Sequence, residues 1–91
     1  MIGEPWRLAV AVSAERSLRR LPAKVAPAIV EFMIGPLLEN PERVGHLLHR
    51  ELSGLRSARR GGYRIVYEID IERRIVQVVR IDHRADVYRP R

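Results

Sequence analysis

Three arginines gather around a pair of glycines in residues 57–67, SARRGGYRIVY, where Arg59, Arg60 and Arg64 flank Gly61 and Gly62. A guanidinium is planar, permanently charged and forked, which suits it to phosphate oxygens and leaves it unable to take a proton near neutral pH. Such groups presented from rigid strands would make a phosphate-binding floor. The same residues read as the tightest turn in the chain, because Gly-Gly between alternating apolar positions signals a hairpin.

Strand geometry sharpens this. Positions equidistant from the Gly61-Gly62 turn oppose each other in an antiparallel pair, which sets Arg59 opposite Arg64 with both side chains on one face. Tyr63, Ile65, Tyr67 and Ile69 mark the core side, so Arg64, Val66 and Glu68 face the other way. In the last strand Ile75, Val79 and Ile81 are expected to join the core. Val76, Val78, Arg80 and Asp82 then share the face of Arg64, and Arg84 follows if the strand runs that far. Like charges opposed across a ladder cost some tenths of a kcal/mol, so the cluster needs an offset. Ion pairing to Glu68, Asp82 and Asp86 would supply one, at roughly 0 to 1 kcal/mol per surface pair. A phosphate-binding role would supply the other.

The positioning elements follow from periodicity. Residues 6–12, WRLAVAV, alternate as a strand. Ser13 offers an N-cap for a short helix reaching about Leu21, where Pro22 interrupts. A second helix is expected from about Ala23 to Leu38, with Val25, Ile29, Phe32, Met33 and Leu37 as its apolar stripe and a kink or early end at Gly35-Pro36. The segment ENPERVG is a loop. Residues 55–60, 63–70 and 75–82 have the period of strands. The expectation is an α+β domain: an antiparallel-rich four-stranded sheet with two N-terminal helices on one face, in the order βααβββ. Trp6 and Phe32 belong to its core.

With 91 residues and 46% hydrophobic content, residues 1–91 are expected to form a single domain. The net charge of +6 comes from 17 basic and 11 acidic residues, and Lys24 is the one lysine. Residues 43–91 carry twelve arginines against six acids, whereas residues 1–42 are balanced at five and five. The excess therefore belongs to the strand-rich half and implies an anionic partner. There is no cysteine, which excludes thiolate chemistry and disulfides. The run LAVAV is too short for a signal or a span, so no membrane role and a cytoplasmic location are expected. His46 and His49 lack a third ligand and read as solvent-facing turn residues, so no metal or other cofactor is expected.

The segments LSGLRSARRGGYRIVYEI (residues 52–69) and VVRIDHRADVY (residues 78–88) together resemble the RelE family of bacterial toxins within the RelE/ParE superfamily. VSAERSLRRLP (residues 12–22) is similar to that family's first helix. The resemblance implies a ribosome-dependent mRNA endoribonuclease of a type II toxin–antitoxin system, inhibiting translation by cutting mRNA in the decoding site. Carried over by position, it implies catalytic roles for Arg64, Arg59, Arg84 and Tyr88 and an RNA contact from Arg56; Arg60, Arg80 and His83 are read beside them as further RNA contacts. His83 should point away from the Arg64 face by alternation. Some relatives have lysines in the strand before the glycines and this chain has none there, so the proton carrier is open, with Tyr88 first in line. The resemblance further implies an acidic, RelB-like cognate antitoxin, expected to lay an amphipathic segment over or near Val66, Val76 and Val78, with operator DNA reached only through the antitoxin complex. The alternative is a ParE-like toxin that inhibits DNA gyrase by binding. A degenerate toxin acting as a repressor with its partner is a third possibility.

Overall fold

A computed structural model describes residues 5–48 and 54–83 of the chain. The elements run β1 (Arg7–Val10), α1 (Val12–Arg20), α2 (Ala26–Ile34), α3 (Pro36–Glu39), β2 (His46–Leu47), β3 (Arg56–Arg60), β4 (Tyr63–Asp70) and β5 (Ile75–His83). The sheet has five strands in the order β1-β5-β4-β3-β2, with β1 parallel to β5 and the remaining pairs antiparallel. The fifth strand, β2, corrects the expected four. It is two residues long and pairs His46 with Ser57 and Leu47 with Arg56, too short to leave a periodic signal.

Local chemistry accounts for the helices. Ala11 rather than Ser13 is the N-cap of α1, and it makes no side-chain capping bond. The Ser13 hydroxyl instead donates to the Val79 carbonyl on β5. Arg19 and Arg20 occupy the last turn of α1, where cations complement the helix dipole. The second helix begins three residues later than expected, with Pro27 in its first turn, and ends at Gly35, where φ −107° and ψ −99° leave helical space before Pro36. The expected break at Gly-Pro therefore separates α2 from the short α3.

A single bulge sets the phase of β5. Val66 pairs with Arg80 and Tyr67 with Val78, which leaves Val79 without a partner. Beyond it the inward set is Val76 and Val78, not Ile75 and Val79 as alternation implied. Both are fully buried with Ile29, Met33, Leu37, Ala58, Ile65 and Tyr67 in the core beneath the helices. Trp6 and Phe32 pack against this core partly buried, and the Arg74 guanidinium stands 4.1 Å over the Trp6 ring. Val66 is also fully buried, yet it lies on the opposite face and outside that cluster. Val76 and Val78 are therefore withdrawn from the surface expected to lie beneath or beside an antitoxin segment, because both are under the helices, and Val66 alone of the three stays on the opposite face.

The parallel ladder of β1 ends at Val10 opposite Val78, one residue before the bulge. The Ala11 amide donates to the Val78 carbonyl at 2.9 Å, and α1 then takes the place beside β5 that β1 vacates. On the far edge, the loop before β2 is tied to the core by Tyr67, whose hydroxyl donates to the Pro41 carbonyl at 2.6 Å. Arg56 joins it there, donating to the Glu42 carbonyl at 2.8 Å. Gly45 is buried against this knot, and a Cβ there would lie 2.6 Å from the Ser57 carbonyl oxygen and nearer still to the Tyr67 hydroxyl.

Two outcomes are expected. Gly45→Ala should destabilise the fold by roughly 1–3 kcal/mol through overpacking, read as a fall in Tm of about 4–8 °C per kcal/mol. Burial raises the Tyr67 phenol above its ordinary 10.0, an effect that neighbouring Arg56 partly opposes. The folded chain thus keeps this proton past the pH at which the unfolded chain releases it. The associated stability is complete below about pH 10 and is lost as pH rises through the folded value. Denaturant titrations between pH 8 and 11 should show that alkaline loss diminished in Tyr67→Phe, which starts lower by about 1–3 kcal/mol because the Pro41 carbonyl loses its donor.

Candidate functional site

The hairpin β3–β4 closes in two residues, with φ +63° at Gly61 and no positive φ at Gly62, the pattern of a type II′ turn that needs glycine at its first central position. This short closure fixes the register and sets Arg59 directly opposite Arg64, as expected. Their Cβ atoms are then about 5 Å apart, on a rigid sheet. Across the other side of β4, Arg64 opposes Asp82 and Val66 opposes Arg80. Arg59, Arg64, Arg80 and Asp82 therefore share the face that the helices leave open.

The charges on that face are unevenly compensated. Arg80 Nε donates to Asp82 Oδ2 at 2.8 Å, a pair that is partly buried. Asp82 is thus committed along its own strand instead of across to Arg64. Among the described residues no carboxylate lies within 4.0 Å of the Arg59 or Arg64 guanidinium. Two guanidinium groups with vacant forks, one exposed and one half-buried, stand beside an ion pair that has no net charge. Such an arrangement can take a bidentate anion, and a phosphodiester fits the fork geometry.

The remaining carried-over residues are distributed differently. Arg56 faces the helices with Tyr67, its guanidinium half-buried on the Glu42 carbonyl, and it does not join the Arg59–Arg64 row. Arg60 likewise alternates to the helix side, where with Arg59, Glu31, Phe32 and Pro36 it borders an open groove of about 480 Å³ at the mouth of the hairpin. His83 opposes Tyr63 on the side away from Arg64, and their rings meet edge to face at 4.8 Å. Arg84, Tyr88, Asp86 and His49 lie outside the described residues. His46 is exposed within β2, and among the described residues no three His, Asp or Glu side chains are grouped as metal ligands would be.

One residue escaped the sequence reading. Arg20, at the end of α1, borders a hollow with Tyr63, Asp82 and His83 at the same end of the sheet as the hairpin turn. Balancing charge over residues 1–42 hid it, although Arg19-Arg20 before Pro22 was a visible signal. Within the described residues, no helix is long and apolar enough to cross a membrane.

Comparison with known proteins places these features in context. Residues 8–88 match the family described as the ParE toxin of the type II toxin–antitoxin system parDE. Toxin RelE of Mycobacterium tuberculosis is 49% identical over 85 residues, spanning 93% of this chain and 88% of that protein. A chain of the toxin–antitoxin complex RelBE2 from Mycobacterium tuberculosis superposes with a TM-score of 0.83 at 46% identity, covering 89% of this chain and all of that one. The isolated E. coli RelE toxin shares the fold, with a TM-score of 0.71 at 24% identity over 91% of this chain and 90% of that one. An α+β fold with a hairpin-borne arginine pair, matched over nearly its whole length by these relatives, makes the chain a member of the RelE/ParE superfamily of type II toxins.

Proposed function

We propose that this toxin is a ribosome-dependent mRNA endoribonuclease that works in the cytoplasm by 2′-hydroxyl attack, with Arg59 and Arg64 as the charge-stabilising pair. The observation that supports this most is the directly opposed arginine pair without a carboxylate partner among the described residues. A fold keeps opposed cations on a rigid hairpin when an anion offsets their repulsion. In the proposed reaction the ribose 2′-oxygen forms a bond to the adjacent phosphorus and the bond to the 5′-oxygen of the next nucleotide breaks. The products are a 2′,3′-cyclic phosphate and a 5′-hydroxyl. One proton leaves the attacking hydroxyl and one must reach the departing oxygen. No guanidinium can carry them, so Tyr88 is the proposed proton carrier, with Arg84 proposed as a further positive charge for the phosphoryl oxygens. The step asks only for preorganised positive charge at the phosphoryl oxygens, so the proposal needs no metal.

Arg80 and Arg60 are proposed as flanking RNA contacts, the first held in place by Asp82. Arg56 is engaged on the Glu42 carbonyl, and its contribution is to hold the strand that carries Arg59. The proposed partners are mRNA in the ribosomal decoding site and an acidic, RelB-like antitoxin, with operator DNA contacted through the antitoxin. The RelBE2 relative occurs in a toxin–antitoxin complex, and charge complementarity to the open face supports the same for this chain. A second reading, gyrase inhibition by binding, is favoured by the ParE description of the matching family.

The deciding experiment adds the purified chain to a translating extract and maps cut transcripts, with a DNA supercoiling assay in parallel. Cleavage without an effect on supercoiling is expected, and supercoiling inhibition with intact transcripts would select the second reading. Arg64→Ala should lower the cleavage rate by about 10²- to 10³-fold, the typical effect of removing one such donor. Arg59→Ala should also slow cleavage while leaving Tm unchanged or raising it slightly, because relief of the opposed charges contributes some tenths of a kcal/mol.

A further inference from the structure

The hollow at the end of α1 has a composition that the arginine pair does not explain. It measures about 280 Å³ and is bounded by Ser17 and Arg20 of α1, Tyr63 of β4, and Asp82 and His83 of β5. Its volume is close to the lower limit for small-ligand sites. It exists because β1 stops at Val10, so that α1 rather than a strand flanks β5 beyond the bulge and brings its last turn beside His83. On the open face Arg59, Arg64 and Asp82 form a row across three strands, and Asp82, the end of that row, also lines the hollow, whose Tyr63 and His83 belong to the helix side of β4 and β5.

Charge in the hollow is positive. Asp82 is the acid on its rim, and that carboxylate is held by Arg80 at 2.8 Å. Among the described residues Arg20 has no carboxylate within 4.0 Å, and the same holds for Arg16, Arg19 and Lys24 on the adjoining helix surface and turn. The Tyr63 and His83 rings meet at 72° and 4.8 Å, which offers an aromatic surface beside the guanidinium. A cation for a backbone phosphate beside rings on which a base can stack is the composition of a single-stranded nucleic-acid site.

We propose that this hollow is a second ribonucleotide subsite, in which Arg20 takes a backbone phosphate flanking the linkage held over Arg59 and Arg64 while a base lies against Tyr63 and His83. The proposal rests on the endoribonuclease reading and extends it from one phosphate to a strand path running from the hairpin across β5 to α1. RNA is favoured over an acidic peptide as the occupant because a peptide carboxylate has no use for the stacking rings.

The test titrates the whole chain with an uncleavable 2′-O-methyl RNA hexanucleotide, followed by NMR and by affinity as a function of salt. The Tyr63 and His83 ring signals and the Arg20 side-chain signal should shift together with that of Arg64. Arg20→Ala should abolish the ring shifts, retain the Arg64 shift, and reduce the slope of log affinity against log salt by about 0.7, the share of one single-strand phosphate contact. Ring signals that stay fixed while Arg64 responds would overturn the subsite and leave the proposed nuclease standing. Ring signals that respond to a poly-glutamate peptide and not to RNA would also overturn it, assigning the hollow to a protein partner. A chain silent to RNA at every position would sink the subsite, and the cleavage assay in extract then judges the nuclease separately.

Discussion

A hydroxyl from Ser13 meets the carbonyl of Val79, the residue of β5 that the β4 ladder passes over, and most of the architecture turns on that junction. A bulge frees a carbonyl and shifts strand phase by one residue. Here the freed carbonyl anchors the start of α1. The phase shift sends Val76 and Val78 inward with Ile81 while Arg80 and Asp82 remain outward with Arg64. Without the extra residue, an inward Ile81 would place Val79 inward and expose Val76 and Val78. The arginine face and the apolar core can occupy the same strand because the phase changes between them.

The second constraint is the hairpin turn. Its two-residue closure leaves no slack in register, so the opposition of Arg59 and Arg64 is a property of the backbone and does not depend on side-chain choice. Stability and the proposed function pull in opposite directions at this pair. The Arg80–Asp82 pair shows how the same face looks when charge is compensated locally, and the contrast between the two isolates the cations available to a ligand.

What was legible in the sequence was what obeys a period or a turn rule. The β3–β4 register, the bounds of β4 and the break at Gly35-Pro36 follow from such rules, and the Arg59–Arg64 opposition follows from the first of them. Residues that answer to tertiary contacts were not legible. Val79 carries no mark distinguishing a bulge from a regular strand position, and alternation carried through it inverted the assignments of Val76 and Val78. Ser13 has the identity of a cap, yet its hydroxyl serves β5. Arg56 looked like its neighbours Arg59 and Arg60, and only the Glu42 carbonyl and the Tyr67 hydroxyl beside it reveal that it braces a loop. Arg20 was obscured because charge was summed along the chain, whereas the fold brings α1 next to β5.

Val66 has a consequence for whatever binds above it. It is excluded from solvent, stands apart from the main core, and is flanked across the strands by Ser57 and Arg80 on the face that carries Arg64. A water-excluding patch beneath a charged surface lowers the local dielectric, and near a protein surface a pair of charges interacts roughly fourfold more strongly than in bulk water. The guanidinium groups around it therefore act through a medium that screens them poorly. An anion seated there would feel a field that dissolved salt weakens less than the overall charge of the molecule suggests.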